Sequence, residues 1–442
     1  MLLRILSFVI LIAGLFFNLT MLTGCGNTKG NGNKITISVA CCYSPTDVGC
    51  RVIDKSLDDF MKKNPDIKIK KIWISNANDY YWTKLLTMIA GGNPPDVFRM
   101  GPDFIPVYAR KGVLMPLDDF VGKSKVLKLD DFFPQCLLKY KFDVRTNTVG
   151  TGSIYGFGTD WSPDYTLFFN KNMFDKAGLS YPDRSLDWEE FRKIANKLTV
   201  HQKGKSQFGC LLRDVTILVY QNGGQVFSKD GKKCLLDSPD SIEAFQFLVN
   251  LRMKDKVMPS LTELRDTNQL QLFQMGRLGM FLSGRYYAPL LTNLVKDFSW
   301  GVAPGLHQKK RVNVVTGPFG WVMSSKSGNK VAAWKLIEHL AAGDCEKQLA
   351  REGYNIPVIK GIAYSDLFLN NPSHPPGLNK VFLDEVKYTV PSQLTPYVPF
   401  DRWQRIILDE LDLAYMGKQT AKQAAINATK KIDVVIKEAL NE

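Results

Sequence analysis

KITISVACCYSPTDVGCRVIDKSLDDFMKKNPDIKIKKIWI, Lys34 to Ile74, carries two periodicities in one stretch. Lys34 to Ala40 alternates in the two-residue rhythm of a half-buried strand. From Val52 to Asn64 the apolar residues Val52, Ile53, Leu57, Phe60 and Met61 fall at helical spacing, and Pro65 ends the run. Ile67 to Ile74 returns to the strand rhythm. Working outward, Asp79 to Ala90 is a second helix stopped by Gly91-Gly92, and Asp96 to Met100 a short third strand. Alternating strands and helices predict βαβ units, hence an α/β fold with a mostly parallel sheet.

The same punctuation recurs downstream. Asp187-Trp188-Glu189-Glu190-Phe191 opens a helix to Leu198, with acidic residues facing the positive end of its peptide dipoles. Asp237-Ser238-Pro239-Asp240 sets a capping residue before a proline at the first helical position, and that helix runs on through Ile242, Phe245, Leu248 and Leu251. Ala332 to Ala341 is amphipathic, and Ala421 to Leu440 is a long terminal helix.

Ahead of the first strand, Arg4 precedes an apolar run from Ile5 to Leu22, broken only by Ser7, Asn18 and Thr20 and closed by Thr23-Gly24-Cys25. A basic start, an apolar centre and small residues at the cut describe a secretory signal over residues 1–24. About 18 apolar residues also suffice to cross a bilayer, but no Lys/Arg cluster follows, and a plain anchor has no use for a small-small-Cys ending. Leu22-Thr23-Gly24-Cys25 resembles the lipobox of bacterial lipoproteins, which implies that Cys25 becomes the mature N-terminus and carries acyl chains. Two such chains anchor stably where one does not. Residues 25–34, rich in Gly, Asn and Lys, cannot form a core and read as a flexible tether.

What remains of the 442 residues exceeds what one hydrophobic core usually supports, so two domains are expected. The 57 Lys and Arg outnumber the 43 Asp and Glu, giving +14. Such a charge raises the possibility of a nucleic-acid partner, but the basic residues are dispersed and form no dense block, so none is expected. Besides Cys25 the chain has Cys41, Cys42, Cys50, Cys136, Cys210, Cys234 and Cys345. Outside the cytoplasm, Cys41 or Cys42 could pair with Cys50, and Cys210 with Cys234; buried free thiols are the alternative. With no C-x-x-C and four isolated histidines, neither a metal site nor a cofactor is expected. No G-x-S-x-G, H-E-x-x-H or P-loop points to an enzyme.

A series of segments then falls into one order: YWTKLLTMIAGGNPPDVF, GVLMPLDDF, YGFGTDW, LFFNKNMFDKAGL, LDWEEFRKIANKLT, LFQMGRLGMFLSGRYY, TGPFGWVMSSKS and LAYMGKQTAKQAAINATKKID. Together they resemble the extracellular solute-binding proteins of the sugar-binding group, the receptors of ABC importers, in a layout similar to the maltose-binding type. The resemblance covers nearly all of the mature chain. It implies a two-lobe periplasmic-binding-protein type II fold, with an interlobe cleft and hinge crossover strands. One lobe would hold residues 35–160 and 322–356, the other 161–321 and 357–442. The implied function is capture of a carbohydrate, most simply an oligosaccharide, by a monomeric lipid-anchored receptor. The receptor delivers it intact to the transmembrane permease subunits of the importer. The same fold binding a non-sugar or anionic solute, or a secreted glycoside hydrolase with two carboxylates across a cleft, are the competing readings.

Sugar recognition needs aromatic faces for C–H surfaces and planar polar groups for hydroxyls. Asp103 lies just past the third strand, where it could equally cap a helix; by resemblance it contacts sugar hydroxyls. Trp161, Tyr286, Trp321 and Trp403 stand in loop-like contexts, whereas Trp188, Trp300 and Trp334 sit at core-like positions. The resemblance favours stacking roles for Tyr286 and Trp403 in particular. Asn222, before Gly223-Gly224, resembles a family turn near the cleft, and Arg213 with Asp214 lies in the loop leading to it. Tyr43, Asp164 and Gly317 complete the expected ligand contacts.

Overall fold

The computed structural model describes residues 34–44, 47–75, 80–202, 206–317 and 319–441. The signal segment, Cys25 and nearly all of the tether lie outside the described residues. In chain order the strands that build the main sheets are β1 (Ile35–Tyr43), β2 (Ile67–Ser75), β3 (Val97–Met100), β4 (Gly156–Gly158), β5 (Ser162–Pro163) and β6 (Thr166–Asn170). There follow β7 (Phe208–Leu211), β8 (Leu278–Ser283), β9 (Trp300–Ala303), β10 (Asn313–Thr316), β11 (Gly320–Met323) and β12 (Thr389–Pro391).

The first sheet runs β2-β1-β3-β11-β4. β1 pairs in parallel with both β2 and β3, while β11 lies antiparallel between β3 and β4. The crossover from β1 to β2 is helix α1 (Val48–Lys63), so the opening stretch does form the expected βαβ unit. Helix α1 starts earlier than its apolar pattern suggests, because Asp47 caps it by accepting from the Cys50 amide at 2.8 Å. Helix α2 (Tyr80–Ala90) leads to β3.

The second sheet runs β7-β8-β6-β9, with β7 and β8 parallel and β6 antiparallel to both neighbours. Helix α3 (Trp188–Leu198), capped by Asp187, packs on β7 so closely that a Cβ on Gly209 would lie 1.9 Å from the Ala195 carbonyl oxygen. Helices α4 (Val215–Gln221) and α5 (Pro239–Met253) follow, α5 capped by Ser238 with Pro239 at its first position as the sequence predicts. After β8 comes α6 (Tyr287–Leu294). Helices α7 (Lys330–Ala341) and α8 (Gly343–Arg351) lie against α1. The terminal helices α9 (Phe400–Tyr415) and α10 (Ala421–Asn441) pack on one another and on α5.

The chain passes from the first sheet to the second between β4 and β6 and returns at β11. A small third sheet, β12-β10-β5, and a bridge between Trp161 and Ile356 lie along these passages. This is a two-lobe α/β architecture. Cys41, Cys42, Cys50, Cys136, Cys210, Cys234 and Cys345 are all free thiols, mostly buried. Among the described residues no helix is long and apolar enough to cross a membrane.

Candidate ligand cleft

Loops at the strand ends of both sheets converge on a cavity of about 650 Å³. In parallel sheets this carboxyl edge is where ligands bind, because backbone groups and loop side chains converge there without disturbing the core. From the first sheet come Asp47 and Val48 after β1, Pro102 and Asp103 after β3, Asp160 after β4, and Gly317 and Phe319 before β11. From the second come Asp164 and Tyr165 before β6, Asp214 after β7, and Tyr286, Pro289, Leu290 and Asn293 after β8. Tyr354 and Asn355 follow α8, and Phe400 and Gln404 project from the first turns of α9. Gly317 has φ +86°, left-handed backbone that glycine adopts freely and that turns the chain into β11.

Charge is arranged in layers behind this wall. Arg99, buried in β3, donates to Asp160 Oδ1 at 2.9 Å, and Asn355 donates to Asp160 Oδ2 at 3.3 Å. Burial pushes the Asp160 carboxyl up, and Arg99 opposes that shift. Lys139, 1 % exposed, sits 3.1 Å from Asp103 Oδ1. Asp214 caps α4 by accepting from the Thr216 amide at 2.8 Å and also accepts from the Tyr165 hydroxyl. Asp164 Oδ1 is buried without a hydrogen-bond partner, and burial, only partly offset by Lys139, holds this carboxyl well above the usual carboxylate range. A second chamber of about 190 Å³ shares Asp164, Tyr165, Asp214 and Tyr286 with the main cavity and continues to Arg213, Gln269, Ser283 and Tyr287.

The structure divides the residues expected to touch ligand. Asp103, Asp164, Tyr286 and Gly317 line the main cavity, and Arg213 lines the side chamber. Asp103 stands in a single turn of 3-10 helix, where it makes no capping hydrogen bond. Trp161, 1 % exposed, packs against Phe133 at 4.9 Å and donates to the Pro357 carbonyl at 3.2 Å. Trp321 is fully buried inside β11, between β3 and β4. Trp403, 2 % exposed, meets Phe227 and Phe400 edge-on. Asn222 is buried at the far end of α4 from Asp214 and donates to the Asp240 carbonyl and to Glu243, both at 2.8 Å. Tyr43 lies against Trp73 at 5.0 Å. None of these five is on the cavity wall. Large aromatics in loop-like sequence are drawn into the packing between elements because they bring the most apolar area to bury.

The cavity wall also holds Asp47, Asp160, Tyr165, Asn293, Phe319, Tyr354, Asn355, Phe400 and Gln404, none of which the sequence marks as a ligand contact, and Asp214, marked there only as the neighbour of Arg213. The signal was close by in three places. Phe319 precedes Trp321 by two residues, Phe400 and Gln404 flank Trp403, and Asp214 follows Arg213.

The sequence matches the bacterial extracellular solute-binding protein family over residues 51–342. The chain belongs to that family. Among solute-binding proteins of known structure, an ABC substrate-binding protein from Listeria monocytogenes in complex with cycloalternan is similar at 26% identity and TM-score 0.79, over 90% of this chain and 98% of that one. Maltose-bound MalE3 from T. maritima is similar at 20% identity and TM-score 0.71, over 90% and 99% of the two chains. A maltotriose-binding protein from Pyrococcus abyssi is 23% identical over 338 residues, 73% of this chain and 66% of its own. The family is extracytoplasmic, and these relatives are binding proteins of the sugar-binding ABC-transporter type.

Proposed function

We propose that this protein is the lipid-anchored receptor of an ABC importer that takes an oligosaccharide into the cleft and hands it intact to the permease. The observation that carries the reading is the composition of the cavity wall. Tyr165, Tyr286, Phe319, Tyr354 and Phe400 offer ring faces, while Asp103, Asp164, Asp214, Asn293, Asn355 and Gln404 offer planar polar groups. That pairing suits a pyranose, apolar on its faces and polar at its rim. The volume of about 650 Å³ suits more than one sugar unit. Relatives that bind cycloalternan, maltose and maltotriose support the same substrate class.

The mechanism needs no bond to be made or broken. A solute touching both lobes binds the closed form more tightly than the open one and so shifts the population toward closure. The closed shape is what the permease would recognise. Attachment through Cys25 would keep the receptor at the membrane face; metabolic labelling with a palmitate analogue, lost in Cys25→Ala, tests that part.

The ligand test is a thermal-shift panel of mono- and oligosaccharides. A rise in melting temperature with at least one oligosaccharide, and recovery of that sugar without new reducing ends, is expected. No shift with any sugar, or a fragmented sugar, overturns the reading.

A further inference from the structure

The chain as a whole carries +14, yet the main cavity is lined by Asp47, Asp103, Asp160, Asp164 and Asp214 with no lysine or arginine among the described residues. Among the described residues no basic side chain lines this cavity, and its charged lining is acidic. Two of these carboxylates are matched from behind, Asp160 by Arg99 and Asp103 by Lys139. Asp164 and Asp214 have no ion-pair partner among the described residues, and they flank Tyr165 at the junction of cavity and side chamber. Arg213 also lines that chamber, but its side chain is exposed to solvent, where water screens it.

A second, independent observation concerns hydrogen bonding. Two buried polar atoms on this wall lack a hydrogen-bond partner: Asp164 Oδ1 and Asn355 Oδ1. Both are oxygens that can accept. Asn355 is 6 % exposed, and its amide nitrogen is held by Asp160, which fixes the carbonyl oxygen as the free end. A buried acceptor left empty is costly, so the wall is complementary to a group that donates.

Resting on the carbohydrate-receptor reading above, we propose that the ligand carries a protonated amine, as in an amino sugar whose nitrogen is not acylated, and that Asp164 and Asp214 select it. An ammonium supplies three donors and no acceptor, and its charge strengthens each hydrogen bond to a carboxylate. The low-dielectric cleft focuses the field of Asp214 on the bound group, and an ammonium arriving beside Asp164 favours the ionised form of that buried carboxyl. The same field opposes a uronic acid, so the acidic-sugar alternative is disfavoured by the same residues.

Titration calorimetry at pH 7 with the glucosamine trimer, its fully N-acetylated counterpart, maltotriose and trigalacturonate tests this. The amine trimer should bind at least about ten-fold more tightly than its acetylated counterpart, a difference one charge-assisted contact can supply. Asp164→Asn and Asp214→Asn should each shrink that ratio. Raising salt from roughly 50 to 500 mM should also weaken the amine trimer more than maltotriose, a readout that needs no variant to fold. Equal or tighter binding of the neutral or acetylated trimers overturns the amine inference and leaves the carbohydrate reading standing. Failure of every sugar in the wider panel overturns both.

Discussion

At the scale of single residues, exposure separates side chains that sequence alone treats alike. Tyr286 is 41 % exposed and borders the cavity; Trp161 and Trp403 are core. Truncating Tyr286 to alanine should therefore abolish the sugar-induced thermal shift while moving the melting temperature of the unliganded protein by no more than a few degrees. Collapse of the unliganded protein would make it a packing residue instead. Trp161→Ala should behave oppositely, costing about 3–5 kcal/mol in urea unfolding through the cavity it leaves. A Trp161→Ala protein of unchanged stability would contradict the packing described here. Asp103 combines the two roles. Its replacement by alanine strands Lys139 as a buried charge, which typically costs about 3–5 kcal/mol, so ligand loss there must be read beside an unfolding curve. That variant should lose both; a stable Asp103→Ala protein that fails only to bind would show that Lys139 finds another partner.

At the scale of elements, the segment after α8 is fixed by buried cationic and imidazole groups rather than by a helix or strand of its own. Arg285, fully buried, donates to the carbonyls of Gly353 and Tyr354 at 2.8 and 2.9 Å and to Asn379 Oδ1 at 2.8 Å. The His374 ring lies 3.0 Å from the same Gly353 carbonyl. Burial first, and Arg285 second, lower the His374 pKa to about 4. An unfolded histidine titrates near 6.5. Above that value both states are neutral and the group adds no pH dependence; between about 6.5 and 4 the unfolded chain takes up a proton that the folded one refuses. Stability should therefore fall as pH drops through this window, by roughly 3 kcal/mol at most from this group. Urea midpoints measured from pH 7 to 4 should show the decline, and His374→Gln should flatten it. An unchanged slope in the variant would assign the acid sensitivity elsewhere. Helix α9 shows the limit of reading a motif: Phe400 and Gln404 reach the cavity while Trp403, on the same turns, is absorbed by Phe227.

At the scale of the molecule, the cleft draws its wall from both sheets, so a ligand that touches both walls would favour a closed over an open arrangement of the lobes. Small-angle scattering should record a smaller radius of gyration with saturating sugar than without, and no change in a variant such as Tyr286→Ala that has lost the thermal shift. Identical radii for the wild type in both conditions would remove hinge closure from the mechanism.

Local physics made much of this protein legible from its residues. The opening strand-helix-strand, the Asp187 and Ser238 caps and the long terminal helix depend on contacts within a few positions, and the periodicity of apolar residues records them directly. The ordered segments pointed to the family for the same reason. The cleft wall was only partly legible. Asp103, Asp164, Tyr286 and Gly317 are legible because they sit in loops at strand ends; Asn293 and Asn355 are not, because nothing near them in sequence distinguishes a wall residue from a surface one. Which tryptophans are core, which aspartates are neutralised and which are left facing the cavity are decided by neighbours as far away as Arg99 from Asp160 or Lys139 from Asp103. Only the packing of two sheets brings those partners together, and only that packing sets the charge the ligand meets.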